Sequence, residues 1–145
     1  MGNPLWMAAE FTQIRTVEFS ETDMAGIVHF SNFLRWMESA EHAFLRSLGY
    51  SVHARDEDGV AGWPRVKVEC EYFKPVRFED VIEVILRVEE VRNRSVRYGF
   101  RVRVAGASDD AARGMVIAVY ARVDAASGRL DAVAIPEELR RKLVG

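Results

Sequence analysis

Apolar residues along this chain keep two different rhythms, and the points where the rhythm changes mark out the elements. Residues 10–19 read as a first strand, with Val17 and Phe19 on one face. From 30 to 48 the period becomes helical. Phe30, Phe33, Met37, Ala40, Phe44 and Leu48 form one stripe, widened by Leu34 and Leu45, and Gly49 follows as a stop. Ser31, Arg35, Glu38, Glu41, His42 and Arg46 lie off that stripe. A charged loop spans His53 to Gly62, and beyond it the period is two. Val66, Val68, Cys70 and Tyr72 alternate with Arg65, Lys67, Glu69 and Glu71. Two further rows run from Ile82 to Val88 and from Val96 to Val104, and a last one from Met115 to Val123. Alternation of this kind predicts antiparallel strands with one buried face. Arg92 to Ser95 and Ala105 to Gly114 read as the turns between them. Near the end, Pro136, Glu137-Glu138 and Arg140-Arg141-Lys142 predict a short helix matched to its own dipole.

The predicted order is therefore one strand, one long helix and four strands. A single helix covers five strands only if the sheet curls around it, which is an α+β layer architecture. No internal repeat or Pro/Gly/Ser linker divides the 145 residues, so residues 1–145 are expected to form one domain.

Composition narrows the function classes. A net charge of −2 lacks the basic surplus of a general nucleic-acid binder, so no nucleic-acid partner is expected. No run of apolar residues is long enough for a membrane span. Met1 to Trp6 lacks the basic and apolar regions of a secretory leader, and Met7 is an alternative start. Cys70 is the one cysteine, which excludes an internal disulfide and fits a reducing, cytoplasmic setting. The three histidines, His29, His42 and His53, have no metal-ligand spacing.

Candidate chemistry concentrates between residues 18 and 38. A polar turn holding Asp23 passes through Ala25-Gly26 and Ile27-Val28 into the helix, which opens at about His29 to Ser31. That order sets a carboxylate beside the unpaired N–H groups of a helix start, where negative charge is favoured. A base or nucleophile next to such donors is a minimal acyl-transfer arrangement. On its own, an aspartate in a Thr-Asp-x-x-Gly turn also serves simply to cap a backbone N–H.

The run from Thr22 to Phe33, TDMAGIVHFSNF, continued by Trp36, Glu38 and Gly49 and resumed from Val66 to Pro75, carries a family pattern. It resembles the hotdog-fold acyl-CoA thioesterases of the 4-hydroxybenzoyl-CoA thioesterase type. The resemblance implies a curved five-stranded antiparallel sheet around one long helix, and hydrolysis of an acyl-CoA to free acid and CoA. It implies no metal or redox cofactor, and a homo-oligomer, dimer or tetramer, with active sites at the subunit interface. Asp23 takes the role of nucleophile or general base, and the backbone N–H of Phe30 polarises the thioester carbonyl. His29 sits one position before that donor, where it can orient water or protonate the leaving thiolate. Glu38 matches a carboxylate that faces the acyl group. Trp63 is a candidate wall of the acyl pocket, with a core position as its alternative. Arg92, Arg94 and Ser95 match, by location, a loop that holds the CoA phosphates, and arginine suits that task. Two alternatives stay open: a hotdog dehydratase or hydratase of acyl thioesters, and a non-catalytic acyl-thioester-binding protein.

Overall fold

The most regular alternation builds the centre of the molecule. The computed structural model describes residues 10–145; Met1 to Trp6 and the alternative start at Met7 lie outside the described residues. In chain order come β1 (Glu10–Thr16), α1 (Ser31–Ser47), β2 (Ala54–Asp56), β3 (Gly59–Gly62) and β4 (Arg65–Tyr72). Then follow β5 (Val81–Val91), β6 (Ser95–Val104), β7 (Ala112–Val119), β8 (Ala121–Asp124), β9 (Leu130–Ala132) and α2 (Glu137–Leu143). Five strands form one antiparallel sheet in the order β1-β5-β6-β7-β4. Ile82, Val84, Leu86 and Val88 on β5, with Val96, Tyr98, Phe100 and Val102 on β6, are all buried on its inner face. The sheet curves around α1, which is the α+β hotdog arrangement.

Helix α1 buries Phe33, Trp36, Met37, Ala40, Glu41, Phe44 and Leu45. The expected stripe is thus rotated: Trp36 and Glu41 turn inward, while Phe30 and Leu34 stay exposed on the flank nearest β4. Close approach of helix to sheet depends on Gly114, because a Cβ there would collide with Met37 and with the Glu69 carbonyl.

Other boundaries also differ from the expectation. β1 ends at Thr16, and Phe19 opens a 3-10 turn (Phe19–Glu21) with its ring exposed rather than sharing the core face of Val17. The charged loop at 53–62 holds β2 and β3, which join β8 and β9 in a second, four-stranded sheet. The last alternating row breaks at Tyr120, so its two halves serve different sheets. On β4 a bulge between Arg65 and Lys67 shifts the register. Val66 and Val68, expected in the core, are 64% and 42% exposed on a sheet edge that has no partner strand among the described residues.

Glu41 is the buried charge that the pattern placed outside. Arg65 Nη1 donates to Glu41 Oε2 at 2.9 Å and to the Trp63 carbonyl at 2.9 Å. The second guanidinium nitrogen lies 2.8 Å from Oε1 without hydrogen-bond alignment, and the buried Tyr98 hydroxyl has no partner among the described residues. Burial outweighs the Arg65 charge and pushes the Glu41 carboxyl from 4.5 up to about 7. Ionised Glu41 therefore weakens the fold. Its contribution to stability is full below 4.5 and is lost as pH rises through about 7. That span corresponds to a change on the order of 3 kcal/mol. Denaturant midpoints are expected to fall from pH 5 to pH 8.5 in the wild type and to stay flatter in Glu41→Gln. A wild-type profile that rises across this window contradicts the assignment.

Candidate active site

The loop between β1 and α1 is pinned at both ends before it presents any chemistry. Val17 N–H donates to the Asp80 carbonyl at 2.9 Å and Val28 N–H to the Val76 carbonyl at 2.7 Å. Thr22 and Val28 form an isolated antiparallel bridge, which closes the intervening residues into a tight loop. Inside it Asp23 N–H donates to the Ile27 carbonyl at 3.0 Å, and Gly26 N–H to the Asp23 carbonyl at 2.9 Å. Gly26 has φ +80°, a left-handed conformation that glycine takes without strain. The aspartate does cap its own turn: Ala25 N–H donates to Asp23 Oδ1 at 2.8 Å. Its second oxygen has no hydrogen-bond partner among the described residues, and the residue is exposed.

Glu21 braces this loop against the helix. Its carbonyl accepts from His29 N–H at 2.9 Å and from Asn32 Nδ2 at 2.8 Å, and its Oε2 accepts from Trp36 Nε1 at 2.7 Å. At the helix start nearly every donor is engaged. Ser31 N–H donates to His29 Nδ1 at 3.3 Å, and Asn32 N–H donates to the His29 carbonyl at 3.0 Å. Among the described residues the Phe30 N–H has no acceptor. His29 Nδ1 is thus held from the helix start, 3.3 Å from Ser31 N and 2.8 Å from the Ser31 hydroxyl oxygen.

Two clefts meet at Asp23. One is an apolar groove of about 550 Å³ bounded by Asp23, Ile27, Phe30, Tyr72, Phe73 and Val76. The other is a polar cleft of about 600 Å³ that includes Arg15, Glu21, Asp23, His29, Asn32 and Arg35. Asp23 thus stands on the ridge between an apolar and a polar compartment, with Phe30 lining the apolar one and His29 the polar one.

The remaining expected residues lie elsewhere in the chain. Glu38 is farther along α1, at a hollow of about 190 Å³ shared with Leu34, Glu41, Arg65 and Val68. It is 3.6 Å from Arg65 and 3.9 Å from His42. Trp63 is buried in the core, edge-on to Tyr120 at 5.0 Å, and does not line the groove beside Asp23. The Arg92–Ser95 turn is held by Arg92 N–H to the Ser95 carbonyl at 2.8 Å. The Asn93 carbonyl accepts from Ile135 N–H at 2.9 Å, and the Arg92 carbonyl accepts from Arg140. Strand registers put Thr16, Val81 and Tyr72 at one end of the sheet, and Val91, Val96 and Arg65 at the other. At about 3.3 Å per residue, the Arg92–Ser95 turn is roughly 30 Å from Asp23 along the strands. One chain therefore brings together Asp23, His29 and Phe30, and leaves Trp63, Arg92, Arg94 and Ser95 at the far end.

Tyr72 was not among the expected site residues. Its phenol donates to the Phe30 carbonyl at 3.0 Å, and its ring meets Phe33 edge-on at 5.1 Å. Partial burial, reinforced by Cys70 alongside, pushes that phenol up to about 12, so it stays a donor. The aromatic pair Tyr72-Phe73 closing a strand just before Lys74-Pro75 is the one local signal for it. Among the described residues no three His, Cys, Asp or Glu side chains gather as a metal site.

Comparison with known proteins matches residues 17–143 to a family model described as the thioesterase-like superfamily. A provisionally named esterase of Aquifex aeolicus is 38% identical over 92 residues, which cover 63% of this chain and 71% of that one. The 4-hydroxybenzoyl-CoA thioesterase of Pseudomonas sp. (strain CBS-3) is 29% identical over 91 residues, 61% of this chain and 64% of that one. The chain thus spans about two thirds of the length of these curated relatives. A solved structure of a gentisyl-coenzyme A thioesterase superposes with a TM-score of 0.74 at 26% identity, covering 89% of this chain and 98% of that one. The acyl groups in these names differ, so they identify the superfamily and several CoA-thioesterase subtypes rather than one.

Proposed function

The chain belongs to the thioesterase-like superfamily, and we propose that within it this protein hydrolyses an acyl-CoA thioester to free acid and CoA. The observation that carries the reading is the pairing of an unengaged Asp23 carboxylate oxygen with an unengaged Phe30 N–H beside one apolar groove. The thioester carbonyl oxygen accepts from Phe30 N–H, which stabilises the charge that develops there. Asp23 either attacks the carbonyl carbon or takes a proton from the water that does. The C–S bond breaks, and the sulfur leaves as thiolate or is protonated by Nε2–H of His29 from the polar side of the ridge. Glu38, in its own hollow beside Arg65 and next to the β4 edge, is the second-rank acyl contact of this reading. Metal and redox cofactors have no part in these steps.

The proposal includes a homo-oligomer, a single hotdog domain and a cytoplasmic setting. Antiparallel pairing of two β4 edges about a two-fold axis reverses the second copy. Its Arg92–Ser95 turn and Trp63 then come to the end of the sheet where this chain holds Asp23. Replacing Arg92 and Arg94 together by alanine is expected to raise KM roughly tenfold or more and to move kcat by less than about twofold, since uniform binding is lost. An unchanged KM removes the turn from the CoA site.

The function itself is tested by free-thiol release from a panel of aromatic, short-chain and long-chain acyl-CoAs, with acyl-carrier-protein esters beside them. Turnover on at least one is expected. Hydration of an enoyl-CoA without thiol release points instead to the dehydratase reading, and binding without turnover to a non-catalytic one.

A further inference from the structure

The free Phe30 N–H is useful only if its direction is held, and two peptide planes meeting at the Phe30 Cα decide that direction. The plane between residues 29 and 30 carries this donor, and its carbonyl is fixed by Asn32 N–H at 3.0 Å. The plane between residues 30 and 31 is gripped at both ends. Its N–H donates to His29 Nδ1, and its carbonyl accepts from the Tyr72 phenol at 3.0 Å. All the other anchors of these planes come from the loop or from the helix itself. Tyr72 reaches them from the sheet, as the last residue of β4.

The strand end that carries Tyr72 is itself anchored, since Phe73 and Lys74 N–H groups both donate to the Ala111 carbonyl, at 2.8 and 3.1 Å. The ring already packs on Phe33, a contact that phenylalanine would keep. The hydroxyl is therefore not needed for packing. It donates to the carbonyl of the residue that bears the proposed oxyanion donor, and the Cys70 thiol lies alongside it.

We propose that Tyr72 is a positioning residue for thioester hydrolysis, tying the first turn of α1 to the β4 edge so that the Phe30 N–H stays aimed across the groove. This rests on the thioesterase reading above. It adds a residue of the sheet to a site otherwise built from the loop and the helix start.

Tyr72→Phe removes one hydrogen bond and little else. Two readouts are taken on the full chain: steady-state kinetics with the best acyl-CoA of the panel, and amide hydrogen exchange in peptides covering residues 27–34. A hydrogen bond of ordinary strength corresponds to about three- to tenfold, so kcat is expected to fall by about that factor with KM within about twofold. Exchange in the first helical turn is expected to quicken several-fold while the rest of the sheet keeps its protection. Faster exchange with unchanged kcat makes the bond merely structural and overturns the proposal. A rise in KM with unchanged kcat makes Tyr72 a substrate contact and overturns it too. If the wild type releases no thiol from any acyl-CoA, the thioesterase reading fails first. The exchange data then decide separately whether Tyr72 holds the helix start, and unchanged protection removes that hold as well.

Discussion

Asp23→Asn is expected to lower acyl-CoA hydrolysis by about 10²–10⁴-fold or more while leaving the fold intact. The retained fold follows from the turn geometry, and the lost activity from the proposed role of the side chain. The turn needs one side-chain oxygen, Oδ1, to accept Ala25 N–H, and an asparagine amide oxygen accepts the same bond. The backbone bonds to Ile27 and Gly26 do not involve the side chain at all. What the amide loses is the second, unengaged oxygen as nucleophile or base. A solvent-facing carboxylate is a weak base, so the proposed catalysis requires direct attack or a water held against it in a closed site. Single turnover in ¹⁸O-labelled water separates the routes. Direct attack, with water opening the anhydride at the Asp23 carbonyl, delivers an unlabelled oxygen to the first product; base catalysis delivers the label. Near wild-type turnover in Asp23→Asn leaves the aspartate as a turn cap and nothing more. Loss of the fold would likewise make its role structural.

This turn was legible because its determinants are local. Thr22, Asp23, Gly26 and the start of an apolar helix lie within ten residues, and each acts on its neighbours. Strands β5 and β6 were legible for a similar reason: both of their neighbours are strands, so Ile82 to Val88 and Val96 to Val102 alternate inward. On β7 the expected row of Met115, Ile117 and Val119 is the wrong face. The strand already starts at Ala112, and Ala112, Val116 and Ala118 enter the core beside Val102, Tyr98 and Val96. Apolar residues occupy both faces of β7 and leave its period ambiguous. Legibility fails where a third element intervenes. Glu41 looks like a surface residue from helical spacing, yet Arg65, 24 residues away, makes an inward carboxylate tolerable. Val66 looks like core until the bulge beside Arg65 and the absence, among the described residues, of a strand beyond β4 put it at an open edge. The small sheet of β2, β3, β8 and β9 has strands of only three or four residues, too short for a period to show. Tyr72 reaches Phe30 across 42 residues of sequence, and no spacing rule encodes a contact of that kind. The same limit separates Arg92 and Arg94 from Asp23. In the assembly proposed above, their relation depends on how two copies meet, which neither periodicity nor a single chain contains.

That meeting is where the second large effect is expected. Replacing Val66 and Val68 together by glutamate should convert the protein to a 16.5 kDa monomer and abolish most of its activity. Both valines are substantially exposed in the chain, so the substitutions cost the monomer little of its own stability. At the β4 edge they cost far more. An unpaired strand edge presents a row of free N–H and C=O groups that proteins cover, twist away or charge. This edge does carry Lys67, Glu69 and Glu71, but it also carries Val66, Val68 and the half-buried Cys70. Pairing two copies across a two-fold axis covers those apolar residues. Two glutamates on each copy would instead face like charges across the seam. Without the second copy, Asp23 and Phe30 keep their places. The Arg92–Ser95 turn that we assign to CoA stays roughly 30 Å away on the same chain, beyond reach of a thioester held at Asp23. Misplacing a reactant by about 1 Å costs on the order of 10²-fold, so a site missing one of its binding walls should lose at least that much. Sedimentation and thiol release measured on the same sample decide the matter. A folded monomer with wild-type turnover shows that one chain is sufficient, and a wild type that sediments as a monomer at micromolar concentration removes the composite site altogether.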